Sequence, residues 1–465
     1  MVGMTRSAAL AGLLLALLSM APGAKTGSVD PRLKKAFRKP AHNGWIFVHL
    51  EGKPAEIGFQ HGYLLAGEVL DAQKAIKLAI THDSKDWNYF RGVAERVLWP
   101  RIEAEYREEL QGIVDGLAAK GVRLDIWDMV VTNAWLELDP YYVKWAEKNA
   151  THGVAEHCSA FVATGSYTKD GRPVIAHNNW SDYMTGSRWN MIFDVAPERG
   201  QHFIMDGMPG LIHSGDDFGI NSAGIMITET TISQFQGFDP AGIAEFVRAR
   251  KAMQYSQSID DFARIMTEGN NGGYANNWLV ADRNTGEIAS LELGLKHVTL
   301  KRTRDGYFSG SNRPTDPQLV RDETNFDVTD KSLSANARHT RWEKLMAEHK
   351  GKIDVGLGQK FLGDHMDTFS GKSEAGERTL CGHIDLSLRG SRPWQTPYGT
   401  AGAVQNKVAD ATMAEQMSLS ALMGHACGIN FKAAKHLEGH PEFAWQKEAL
   451  RDLDAHKWTV FKATK

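Results

Sequence analysis

The stretch Cys158-Ser-Ala-Phe-Val-Ala-Thr164, followed by Lys169-Asp-Gly-Arg172 and Pro173-Val-Ile-Ala-His-Asn-Asn-Trp180, decides how the chain is read. Two short apolar runs flank an Asp-Gly pair, and Asp-Gly in that setting is a strong hairpin signal because glycine accepts the positive φ of a tight turn. A turn centred on Asp170-Gly171 pairs Thr164 with His177 and puts His177 on the Cys158 face of the ribbon. That register leaves His177 six residues from Cys158, roughly 20 Å at about 3.3 Å each, so a bulge, bend or strong twist must bring it back. The same parity puts Trp180 on the opposite face.

The same grammar recurs downstream. Trp278-Leu-Val-Ala-Asp282, Arg283-Asn-Thr-Gly286 and Glu287-Ile-Ala-Ser-Leu-Glu-Leu293 read as strand, turn and strand, with another turn at Arg304-Asp-Gly306 and another strand within Gly219 to Ile232. Helical periodicity marks Ile243 to Met253, Ile259 to Glu268, Met413 to Met423 and Pro441 to Leu453. Upstream, from Pro54 to about Tyr142, apolar residues recur three and four apart, as in Ile57-Gly-Phe-Gln-His-Gly-Tyr-Leu-Leu65. Hairpins alternating with helices, without βαβ crossovers, predict an α+β fold of antiparallel sheets covered by helices. The texture changes once, near residue 150, and no repeat or linker marks an independent second domain.

The 465 residues are 42% hydrophobic and 23% charged, which excludes a disordered or fibrous chain. Fifty-three Lys+Arg against 56 Asp+Glu give a net charge of -3, so no global field recruits nucleic acid or an anionic membrane. Arg6, the apolar run Ala8 to Met20 and Ala21-Pro-Gly-Ala24 read as a signal peptide over residues 1–24. The run is too short to span a bilayer, so the expectation is an exported protein, periplasmic or secreted, without a stable membrane anchor.

Cys158, Cys381 and Cys427 are the only cysteines. In an exported protein an odd count suggests one pair and one thiol left over, and the shared C-terminal location of Cys381 and Cys427 makes them the candidate disulfide. Cys158, at the head of a strand, is then a candidate nucleophile in need of a base. Cutting the His157–Cys158 bond supplies one, because the freed α-amine, with a pKa near 8, lies beside its own thiol. A buried structural thiol is the plainer reading of Cys158, as a hydrogen-bonded core histidine is of His177. Asp216-Asp217 suits a turn better than an acid–base pair. Gly363-Asp-His-Met-Asp367 and Cys381-Gly-His383 could ligate zinc, but with no HExxH and no closely spaced cysteine pair, neither a metal nor another cofactor is expected.

Cys158-Ser-Ala-Phe161 followed by Val174-Ile-Ala-His-Asn-Asn-Trp180 resembles the phospholipase B-like proteins and the penicillin acyltransferase-type (C45) autoproteolytic hydrolases. The resemblance continues in Ser214-Gly-Asp-Asp-Phe218, Thr228-Glu-Thr-Thr-Ile232, Ala275-Asn-Asn-Trp-Leu-Val-Ala-Asp282, Pro397-Tyr-Gly-Thr400 with Lys407, and Pro441-Glu-Phe-Ala-Trp445. It implies an N-terminal-nucleophile (Ntn) hydrolase: an αββα sandwich of two antiparallel sheets flanked by helices. Residues 25–157 would be a helical N-terminal part and 158–465 the catalytic part of one integrated domain. Carried over residue by residue, Cys158 would be the nucleophile freed at His157–Cys158, with His177 and Asn276 catalytic. Trp180, Thr230 and Asn277 would line the substrate or oxyanion pocket. The implied function is an amide hydrolase or acyltransferase using a thiol on a small acylated substrate. A phospholipase B-like acyl-ester hydrolase is the alternative within enzymes, and an unprocessed non-catalytic secreted binding protein the alternative outside them; the resemblance makes the location lysosome-like if the source is eukaryotic.

Overall fold

The computed structural model describes residues 30–82, 84–147, 158–215, 218–389 and 396–464. The leader expected over 1–24, the expected scissile residue His157 and the Asp216-Asp217 turn lie outside the described residues. In chain order the strands begin with β1 (Phe37–Arg38), β2 (Ile46–Gly52), β3 (Ser159–Thr164), β4 (Val174–Asp182), β5 (Met191–Pro197) and β6 (Phe203–Gly207). They continue with β7 (Gly219–Asn221), β8 (Ile225–Thr231), β9 (Asn276–Asp282), β10 (Glu287–Leu293), β11 (Val298–Thr303) and β12 (Gly306–Gly310). The last are β13 (Met366–Asp367), β14 (Lys372–Ser373), β15 (Ala401–Asp410), β16 (Ser418–Met423) and β17 (Thr459–Lys462).

The larger sheet runs β1-β2-β5-β6-β7-β8-β9-β10-β11 and the smaller β12-β3-β4-β15-β16-β17, with β13 and β14 a separate ribbon. Side-chain alternation along each strand sorts the core into layers. Ile192, Ile204, Met226 and Leu279 of the larger sheet meet Ala160, Val162, Ile175 and Leu419 of the smaller one in a single apolar cluster. The alternate residues Phe193, Met205, Ile227 and Val280 pack against helices that include Ala104–Ala119, Ile126–Glu137 and Glu245–Tyr255. On the far side, Phe161, Ala163, Val174 and Ala176 pack against Trp342 and Leu345 of helix Ser334–Glu348 and Phe361 of helix Val355–Leu362. The molecule is therefore the α+β, four-layer αββα arrangement that the resemblance implied.

Three expectations need correction. First, the larger sheet is not wholly antiparallel: β2 and β5 run parallel, which the long excursion between them permits. The segment before residue 150 is accordingly not only helical, since it contributes β1 and β2. Second, the β3–β4 register pairs Ala160 with His177 and Ser159 with Asn178, because the connection is not a two-residue turn but a longer loop containing a 3₁₀ turn at Gly165–Tyr167. Third, Met413 to Met423 is not one helix. A short helix ends at Glu415, Met417 takes a φ of +50°, and Ser418–Met423 forms β16 between β15 and β17. Leu419 and Ala421 reach the inter-sheet core, and that burial overrides the local period.

The helical layer owes one close contact to its glycines. Helices Pro54–Leu64 and Ala104–Ala119 touch backbone to backbone, since a Cβ on Gly58 would lie 1.9 Å from Glu109 O and one on Gly116 2.3 Å from Phe59 O. No helix of the described residues is long and apolar enough to cross a membrane.

Candidate active site

The shorter register resolves the distance problem. His177 now sits opposite Ala160, two residues from Cys158, and its other neighbour across the sheet is Lys407 of β15. A ligand-capable atom of Cys158, of His177 and of Glu229 on β8 all lie within 4.8 Å of one another, and all three side chains are buried. The sulfur also lies 3.8 Å from Asn179 Oδ1, an S–H···O contact across the same ribbon.

Cys158 has a φ of +81°, a region that a side chain bearing a Cβ avoids, at a cost on the order of 1–3 kcal/mol. A buried guanidinium holds it there. Arg338, on helix Ser334–Glu348, donates from Nη1 to Cys158 O at 2.5 Å and to Ser159 Oγ at 3.2 Å. Its Nη2 donates to Asn312 Oδ1 at 2.9 Å and its Nε to Ser334 Oγ at 3.0 Å. Asn312 in turn donates to Thr231 O at 2.9 Å, so one arginine ties the Cys158 backbone to both sheets.

Charge in the inter-sheet space is balanced nearby. Lys407 Nζ lies 2.9 Å from Asp206 Oδ2, both fully buried, and Asp206 also accepts from Gln405 Nε2 at 2.7 Å and Ser214 Oγ at 2.9 Å. Burial, with the electrostatic effect of the neighbouring Glu229 and Cys158 adding to it, holds the Tyr274 hydroxyl well above its usual range. Tyr274 therefore stays a neutral group, and its oxygen accepts from Thr231 Oγ1 at 2.7 Å.

The remaining sequence candidates fall in different places. Asn276 begins β9, and its amide nitrogen donates to Glu229 Oε2 at 2.8 Å and Ala275 O at 3.0 Å, so it holds the carboxylate. Thr230 pairs with Asn277 across β8 and β9. Thr230 Oγ1 is buried with no hydrogen-bond partner among the described residues, and it sits where a Cβ on Gly310 would be, 2.4 Å away. Asn277 Oδ1 accepts from Ser290 Oγ at 2.7 Å. Trp180 lies across the strand from the thiol, donates to Leu380 O at 3.3 Å, and carries the Arg338 guanidinium 4.4 Å above its ring.

Glu229, Arg338, Asn179 and Asn312 are the residues that sequence reasoning did not assign. A carboxylate amid Thr and Ile in a strand was the one readable signal, at Glu229. Arg338 gave none, because its helix is ordinary and only the tertiary fold turns it inward.

Cys381 and Cys427, expected as a disulfide, are unlinked thiols. They stand on the outer face of the smaller sheet, packed with Trp180, Ile384 and Ala403, and share their site with His365 and His383.

A family model for phospholipase B matches residues 98–321. A putative phospholipase B-like 1 of Caenorhabditis elegans is 24% identical over 337 residues, covering 64% of this chain and 57% of that protein. The 40 kDa form of the acyl-coenzyme A:6-aminopenicillanic-acid acyltransferase of Emericella nidulans is 25% identical over 258 residues, covering 53% of this chain and 63% of that one. This chain thus spans less than two thirds of the length of these relatives. Among solved structures, a conjugated bile acid hydrolase variant from Clostridium perfringens aligns with 66% of this chain and 97% of its own, at 9% identity and a TM-score of 0.32. The chain is a relative of the phospholipase B-like proteins and of the penicillin acyltransferase type, as the residues from Cys158 to Trp180 suggested.

Proposed function

We propose that the protein is an exported Ntn hydrolase or acyltransferase whose nucleophile is Cys158, released by cleavage of the His157–Cys158 bond. The observation that supports this most is the strained Cys158 at the head of β3, its thiol beside an imidazole and a carboxylate and its carbonyl gripped by Arg338.

In the intact chain the Cys158 nitrogen is an amide and cannot act as a base, so His177 takes the thiol proton while Glu229 stabilises the resulting cation. The sulfur attacks the His157 carbonyl carbon, and the C–N bond breaks with its nitrogen taking a proton. Relief of the +81° φ favours this step. Water then hydrolyses the thioester, leaving a carboxylate on residue 157 and a free thiol and amine on Cys158. In the mature enzyme that amine becomes the base: the thiol attacks an acyl carbonyl, the amine passes its proton to the leaving group, and water or an amine acceptor resolves the thioester.

The oxyanion needs fixed donors. Asn179 Nδ2 is buried with no hydrogen-bond partner among the described residues, on the same amide whose oxygen touches the sulfur, and Thr230 Oγ1 is the second donor. Asn276 acts through Glu229.

The relatives' names favour acyl substrates, amide in the acyltransferase and ester in the phospholipases. The amide reading comes first because self-cleavage is itself attack on an amide. The test is N-terminal sequencing and intact mass of wild type and Cys158→Ala. Wild type yields a chain starting at Cys158, and the variant stays whole and loses hydrolysis of acyl amides and esters by about 10³-fold or more. An active preparation with an unbroken His157–Cys158 bond, or an active alanine variant, overturns the reading.

A further inference from the structure

The second sulfur cluster has a composition that the active site does not use. One ligand atom from each of His365, Cys381, His383 and Cys427 lies within 4.8 Å of every other. His383 Nε2 stands between the sulfurs, 3.5 Å from Cys381 Sγ and 3.4 Å from Cys427 Sγ. A tetrahedral zinc about 2.3 Å from sulfur and about 2.0–2.1 Å from nitrogen sets sulfur–nitrogen edges of about 3.5 Å. Both observed edges match it.

The surroundings are those of a metal centre rather than of a disulfide. Cys381 and His383 are fully buried, and the buried His365 Nε2 has no hydrogen-bond partner among the described residues. A disulfide would remove both sulfurs as donors and leave two imidazoles around an apolar bond, whereas a cation satisfies all four groups at once. The other nitrogen of His383 lies 3.8 Å from Asp385 Oδ1, beyond hydrogen-bond reach, and Tyr183 donates to that carboxylate at 2.7 Å, so a carboxylate stands behind the imidazole.

We infer that His365, Cys381, His383 and Cys427 bind one zinc ion in a closed, four-ligand structural site. Binding displaces the protons of both thiols, which pass to solvent, and involves no redox change. All four ligands come from connections between named elements rather than from sheet interiors, so the ion cross-links segment 363–389 to the turn after β16. That segment backs the Trp180 ring, where a Cβ on Gly382 would fall 2.2 Å from the indole, and the ring carries the arginine that holds Cys158.

The test uses the full chain, purified under reducing conditions, with zinc counted by elemental mass spectrometry and cobalt(II) exchanged in as a spectroscopic probe. Wild type is expected to hold one zinc per chain, to give the visible bands of tetrahedral cobalt–thiolate, and to lose thermal stability on chelation. Cys427→Ser and His365→Ala, both at partly exposed positions, each lose the zinc and the cobalt spectrum while Cys158 remains available for cleavage. A reduced, folded wild type that takes up no zinc or cobalt, or native protein whose mass shows a Cys381–Cys427 disulfide, overturns the inference. Neither outcome bears on whether Cys158 is the nucleophile, which is read separately from the new N-terminus.

Discussion

The two faces of β4 carry two sulfur–imidazole clusters of opposite character. On the inner face one thiol meets one imidazole and one carboxylate, Cys158, His177 and Glu229, and the sulfur's own residue has a φ of +81°. On the outer face two thiols meet two imidazoles, and neither Cys381 nor Cys427 has a positive φ. The inner set has a proton acceptor and backbone strain but too few soft donors to close a coordination shell, which suits the proposed attack by its sulfur. The outer set has a complete tetrahedral shell and no strained peptide, so its sulfurs are suited to being held. Trp180 and Arg338 join the two across the sheet, and the sequence spacing alone separates neither from the other.

The largest effect that would break this contrast is on the inner face. His177→Gln removes the imidazole that takes the thiol proton in the intact chain, and the appearance of chains beginning at Cys158 is expected to slow by about 10²–10⁴-fold. Gel analysis of processing over time measures it; unchanged processing would show that His177 is a core histidine after all. Next comes the link between the faces. Arg338→Met strips charged donors from the buried Cys158 O, Ser159 Oγ, Asn312 and Ser334, and unfolding in urea should show a loss of about 3 kcal/mol. Arg338→Lys should recover less than half of that, because an ammonium cannot reproduce the planar fork. Full recovery by lysine would mean that charge alone suffices there.

Much of this was legible in the chain, for identifiable reasons. The Cys158 and Val174 runs showed their strand character because both are buried and apolar along their length, and parity correctly put His177 on the Cys158 side and Trp180 on the other. The register was not legible, since Asp170-Gly171 advertises a two-residue turn while the chain turns earlier, at Gly165, whose φ is +62°. The outer cluster was legible only in part. Three of its ligands, His365, Cys381 and His383, lie in the two stretches weighed as possible zinc ligands and set aside, because the fourth, Cys427, is far along the chain and only the packing of segment 363–389 on Trp180 brings all four together. Arg338 illustrates the general limit: nothing local distinguishes an arginine that will be solvated from one that a helix will point into a core.

A buried imidazole outside both clusters supplies the control for them. His61, in helix Pro54–Leu64, is 2% exposed, its ring lies 5.0 Å from that of Phe193, and its Nε2 accepts from Gly210 N at 2.9 Å. Burial holds its pKa down at about 3, against about 6.5 for an unfolded chain. The unfolded state therefore binds a proton across that interval and the folded state does not. Stability from His61 is complete above about pH 6.5 and is lost as the pH falls toward 3, at up to about 1.4 kcal/mol per pH unit. Between pH 6.5 and 5 the wild type should lose about 2 kcal/mol more than His61→Gln, whose amide oxygen can still accept a backbone N–H. Urea titrations at the two pH values measure the difference. Equal losses would mean that desolvation does not keep this ring neutral, and a buried histidine could then no longer be taken as a mere acceptor when it lacks a thiol or carboxylate at its side.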